Sequence, residues 1–203
     1  MTTLTATLVA DGPSDRVLLP VISFLLDAYC DEPYRLQFAE GLHAGPLEQK
    51  VNRAIQLYPC ELLLVHRDAE TASVVDRERE IIEACRELHA GLHCIQIIPV
   101  RMTESWLLLD ERAIYGAAGN PNGQALFALP AADQLESLPD PKAVLLGALI
   151  AAKDIGANRR RRFRPEQHRH RVSELIEDYS QLRALESFRH FERQIIEYLQ
   201  PRN

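Results

Sequence analysis

Cysteine is scarce and its spacing carries no pattern: Cys30, Cys60, Cys85 and Cys94 stand far apart with no Cys-x-x-Cys. That argues against a disulfide framework and is consistent with free thiols in a reducing compartment. Cys85, His89 and His93 recur every four residues, but Gly91 interrupts the helix that would align them and no second ligand pair lies nearby, so zinc is not expected. Long apolar runs are also missing. The longest, Val17 to Leu26, contains Pro20 and Ser23 and falls well short of the roughly 18 residues of a membrane span. Met1-Thr2-Thr3-Leu4 lacks the basic start of a leader and reads as the opening of a strand, so a soluble, cytoplasmic protein is expected. No Gly-x-x-x-x-Gly-Lys-Ser/Thr loop occurs, and Gly12-x-Ser14 lacks the second glycine of a nucleophile elbow, which sets aside P-loop hydrolysis and serine hydrolysis.

What is present is acid placed after apolar runs. Thr2 to Ala10 opens onto Asp11-Gly12-Pro13-Ser14-Asp15, and Glu61 to Arg67 opens onto Asp68-Ala69-Glu70. In an open parallel sheet the loops at the carboxyl ends of the strands form the ligand crevice, so acids distant in sequence can meet there. If the third strand continues that far, Asp68 and Glu70 point to one face about 6 to 7 Å apart. Such a cluster repels itself unless a cation or shared protons neutralise it. Mg²⁺ suits it, taking hard oxygen ligands and pairing one or two carboxylates with substrate phosphates.

The order of elements predicts an α/β fold. Strands are expected at Thr2–Ala10, Tyr34–Phe38, Leu62–Val65 and Cys94–Val100, with helices over Ser14–Tyr29, Pro46–Tyr58 and Val74–His89 between them. Pro20 marks a kink or a late start in the first helix, and the alternating Tyr34–Phe38 suits a peripheral strand. Glu104–Ala118 reads as a helix bearing Trp106 as a core residue, and further helices are expected over Pro141–Lys153, Val172–Tyr179 and Ser180–Leu199. Two regions result: an α/β domain over 1–125 and a helical extension over 126–203.

Charge divides along the same line. Residues 1–157 hold 12 bases and 22 acids while 158–203 hold 11 bases and 7 acids, so a polyanion should be met by the C-terminal part. Within it, Arg159, Arg160, Arg161, Arg162, Phe163, Arg164, Arg169 and Arg171 form a stretch fitted to nucleic acid. Its arginines would hold phosphates without base specificity and Phe163 would stack on a base.

Asp11-Gly12-Pro13-Ser14-Asp15, Asp68-x-Glu70 and Pro99-Val100-Arg101-Met102-Thr103-Glu104-Ser105-Trp106, each after its strand, resemble the Toprim family. The likeness is to the small stand-alone Toprim-like proteins related to the overcoming-lysogenization-defect nucleases, and it covers residues 5 to 118. In that family the first motif is normally Glu-Gly and the later one Asp-x-Asp; here Asp11 and Glu70 take those acid positions, each differing by a methylene. The resemblance implies a Toprim-like Rossmannoid domain with a mostly parallel four-stranded sheet, followed here by the helical extension. It also implies a Mg²⁺- or Mn²⁺-dependent phosphodiesterase, most simply a nuclease acting on DNA or RNA and associated with defence against foreign DNA. Asp68 and Glu70 would hold the principal metal, Asp11 would ligate it or act as general base, and Asp15 and Glu104 would help place a second ion. A partner ATPase is implied in the same way. Two other readings stay open. One is a receiver-like phosphoacceptor, with Asp68 accepting the phosphoryl group and Thr103 beside it; the other is a degenerate Toprim scaffold that binds nucleic acid or protein without cutting.

Overall fold

A computed structural model describes residues 3–42, 44–88, 91–124, 127–154 and 162–200. Four strands, β1 (Leu4–Val9), β2 (Tyr34–Phe38), β3 (Leu62–His66) and β4 (His93–Ile97), pair in parallel in the order β2-β1-β3-β4. Helix α1 (Leu18–Tyr29) covers one face of the sheet; α2 (Leu47–Leu57) and α3 (Val74–Ala84) cover the other, a Rossmann-like arrangement. Strand periodicity divides the core. Ala6, Leu8, Leu62 and Leu64 pack toward α1, whereas Val9, Leu63 and Val65 pack toward α2 and α3. With both faces covered, β3 must be apolar throughout, which is why Leu62-Leu63-Leu64-Val65 has no alternation.

The remaining helices are α4 (Glu111–Ala117), α5 (Pro141–Lys153), α6 (Arg169–Leu175) and α7 (Glu186–Leu199), joined by short 3₁₀ turns. They add to the α1 side of the core: Trp106 is fully buried between Phe188 and Phe191 of α7, its ring 5.5 Å from the first and 6.3 Å from the second. Among the described residues no helix is long and apolar enough to cross a membrane.

Several boundaries differ from the sequence reading for local reasons. Residues 13–17 form a 3₁₀ turn and α1 starts at Leu18, placing Pro20 in its first turn, where a missing N–H costs no intrahelical bond. β4 ends at Ile97, before Pro99, which has no N–H to donate. The helix expected over Glu104–Ala118 is two pieces, a 3₁₀ turn at Thr103–Leu107 and then α4. Asp110 restarts the helix by accepting from the Arg112 and Ala113 amides. Extended backbone at Leu185 likewise splits the last expected helix into a 3₁₀ turn at Ser180–Ala184 and α7. The helix expected over Val172–Tyr179 lies earlier, as α6, because Ile176 is extended. α3 ends at Ala84, and His89 lies outside the described residues.

Candidate functional site

β1 and β3 are neighbours in space, although the chain passes from β1 to β2 on one side and reaches β3 on the other. Loops leaving their carboxyl ends therefore diverge and open a crevice between them. Asp11, Asp15, Asp68 and Glu70 all line a cavity of about 310 Å³ there, together with His66, Arg67 and Arg77. An adjoining cavity of about 160 Å³ shares Ser14, Asp15, Asp68 and Glu70 and adds Thr103, Glu104, Lys142 and Arg169. All five acids singled out in the sequence thus border one of two connected hollows, with Asp15, Asp68 and Glu70 on the divide.

Each acid is held differently. Past the end of β3 the ladder to β4 continues, with the amides of Arg67, Ala69 and Glu70 donating to the carbonyls of Ile97, Pro99 and Arg101. That keeps His66 and Asp68 on one face. At Glu70 the backbone turns left-handed (φ 51°), ending the alternation, and its side chain is 60% exposed near Arg77. Asp68 is the more enclosed acid. Its Oδ1 accepts from the Thr103 hydroxyl at 2.9 Å, and among the described residues Oδ2 accepts from none. Burial, first, pushes its carboxyl up to about 6; the charges of Asp15 and Glu104 add to the rise, and His66 and the Thr103 hydrogen bond oppose it.

His66 is buried behind Asp68. Its Nδ1 lies 3.1 Å from the Ile97 carbonyl, which only accepts, so Nδ1 carries the proton and Nε2 is left facing Thr103 Oγ1 at 3.2 Å. The Thr103 hydroxyl lies between the buried imidazole and the central carboxylate, and its one proton goes to Asp68 Oδ1.

Asp11 sits in a different environment. Arg67 donates to both of its oxygens at 2.6 and 2.7 Å, and Lys50 donates to Oδ1 at 2.9 Å. Burial works against its charge, but the Lys50 hydrogen bond and the two neighbouring cations prevail and lower its pKa. The chain of alternating charge continues from Arg67 to Glu80 at 3.2 Å and from Glu80 to Arg77 at 2.8 Å. Asp15 is tied locally, accepting from the Gly12 amide at 3.0 Å and the Ser14 hydroxyl at 3.2 Å. Glu104, buried in the 3₁₀ turn after β4, pairs with Arg169 of α6. Among the described residues no three His, Cys, Asp or Glu side chains are grouped as ready-made ligands for an ion.

The arginine-rich stretch divides. Arg159, Arg160 and Arg161 lie outside the described residues. Arg162 and Arg164 are exposed, Arg171 is exposed and pairs with Glu174 at 2.9 Å, and Arg169 turns inward to the acid cavity. Phe163 stacks on His168 at 4.6 Å and packs against the main core.

Sequence reasoning missed the basic partners, Lys50, Arg67, Arg77 and Lys142. Lys50 left a signal: it falls on the buried stripe of α2 with Leu47, Val51 and Ala54, and a lysine on an apolar face needs a buried counter-charge. Set beside models of known protein families, curated proteins and solved structures, the chain matches none.

Proposed function

We propose that this protein is a divalent-metal-dependent phosphodiesterase, most simply a nuclease of Toprim-like type, with its site at Asp15, Asp68, Glu70 and Glu104. The observation that carries the reading is the position of Asp68. It is a partly buried carboxylate with one oxygen uncommitted, crowded by the charges of Asp15 and Glu104, in a cavity that also holds Lys142 and Arg169. The donors fit Mg²⁺ or Mn²⁺, being hard carboxylate oxygens. A bound ion would polarise a scissile phosphate and acidify a water.

The chain's own groups supply the rest. Thr103 donates to Asp68 and fixes the orientation of its carboxylate. Arg169 and Lys142 offer hydrogen bonds and charge to phosphate oxygens, Arg169 exchanging Glu104 for the substrate. Asp11 serves to order Arg67 and Lys50 on the far side of the divide. The exposed Arg162, Arg164 and Arg171 would track a nucleic-acid backbone leading to the cavity.

Incubation with labelled single- and double-stranded DNA and RNA plus Mn²⁺ should give cleavage that Asp68→Ala abolishes; cleavage persisting in that variant overturns the assignment. Calorimetric Mn²⁺ binding should weaken as pH falls through about 6, because protonated Asp68 is a poor ligand. A protein that binds neither Mg²⁺ nor Mn²⁺ would instead be a non-cutting scaffold. A second reading, a phosphoacceptor at Asp68, draws on Thr103 and Lys142 lining the same cavity. It requires an acid-labile phosphoryl group on Asp68 after treatment with a small phosphodonor.

A further inference from the structure

Along the chain Cys85 and Cys94 stand nine residues apart, with a helix end and a turn between them. The fold brings them together. Cys85 is the C-cap of α3, and Cys94 is the second residue of β4, in register with Leu63 of β3. Their sulfurs are 2.6 Å apart, and both residues are partly solvent-exposed. Both pack with Cys60 against the apolar cluster between the sheet and the α2–α3 layer. Cys94 enters through its sheet register and Cys85 through the helix end, so the contact is set by two ordered elements rather than by a loose loop.

We propose that Cys85 and Cys94 form a dithiol site that a peroxide closes to an intramolecular disulfide. In the first step a peroxide oxygen transfers to one sulfur, giving a sulfenic acid and releasing water. In the second the other thiol attacks that sulfur, the S–S bond forms, and the S–OH oxygen leaves as a second water after taking up the proton lost from the attacking thiol. Two thiols are oxidised and one peroxide is reduced. The bond ties the end of α3 to the start of β4, at the amino edge of the sheet. The acid cavity lies at the opposite, carboxyl edge, so this inference stands apart from the proposed phosphodiesterase.

The test is intact-mass analysis of the full-length native protein after treatment with hydrogen peroxide, followed by alkylation of remaining thiols and tryptic mapping without reductant. The expected result is a loss of about 2 Da before alkylation. A crosslinked pair of peptides, residues 80–86 and 87–101, should appear and should disappear on reduction. Cys60→Ser should leave the crosslink unchanged, while Cys85→Ser and Cys94→Ser should each abolish it. Retention of both free thiols, a bond that maps to Cys60 in peptide 54–67, or a bond between two chains would each overturn the proposal.

Discussion

Asp68 and Asp11 show how one residue type acquires opposite properties a short distance apart. Asp11 gains two cations that outweigh its burial and lower its pKa, so its contribution to stability is present at neutral pH and lost in acid. Asp68 is partly enclosed, has no Lys or Arg hydrogen-bonded to its carboxylate among the described residues, and has a folded-state pKa of about 6, above the ordinary 3.8. The native state therefore holds that proton more tightly than the unfolded chain. Stability from this group is greatest below about pH 4 and falls as pH rises through 6. Two pH units correspond to about 3 kcal/mol at most, and water reaching the partly open site reduces that. Asp68→Asn should accordingly stabilise the protein by about 1 to 2 kcal/mol at pH 7.5, with the gain vanishing near pH 4. Urea unfolding of both proteins at the two pH values measures this; an equal difference at both would show that the carboxylate is not strained. An acid kept at a cost in stability is the pattern expected of a binding site.

At the scale of elements, β4 poses the question of how an outer strand avoids pairing with another chain. Gln194 of α7 answers it by imitating a strand: its Oε1 accepts from the Gln96 amide at 3.1 Å and its Nε2 donates to the Gln96 carbonyl at 3.3 Å. One side chain satisfies both backbone groups of an edge residue, which would otherwise be a template for association. Gln194→Ala should cost about 1 kcal/mol. It should also speed hydrogen exchange at the Gln96 amide, readable by NMR or mass spectrometry, and unchanged exchange there would show that the helix protects the edge without this bond. Elements also explain the uneven quality of the sequence reading. Tyr34–Phe38 and Pro141–Lys153 were readable to the residue because strand alternation in one case and an Asp140-Pro141 start in the other are local signals. The breaks at Leu108–Asp110 and Leu185 were not, since apolar periodicity runs through them while packing onto the sheet sets the bends.

For the whole molecule, the decisive fact is that the C-terminal helices complete the core. Trp106, just past β4, lies between Phe188 and Phe191, and Tyr29 at the end of α1 donates to Glu192, which also receives Arg183. A chain ending at residue 185 should lose cooperative unfolding, as monitored by circular dichroism in urea, because Trp106 and the α1 face would be left open to water. Phe191→Ala in the full chain should cost about 3 to 5 kcal/mol. A sharp, native-like transition in the shortened chain would mean that the sheet and its own helices suffice. By itself the sequence determined the alternation of strands and helices and the placing of acids after strand ends, because both depend on short-range periodicity and on the polarity of loops. Only the tertiary structure decided what those acids face. Asp11 meets Lys50 and Arg67, Glu104 meets Arg169 from 65 positions away, and Asp68 is left with a hydroxyl and a buried imidazole. Counter-charges are recruited through space, and nothing in a carboxylate's neighbours along the chain records which cation will reach it.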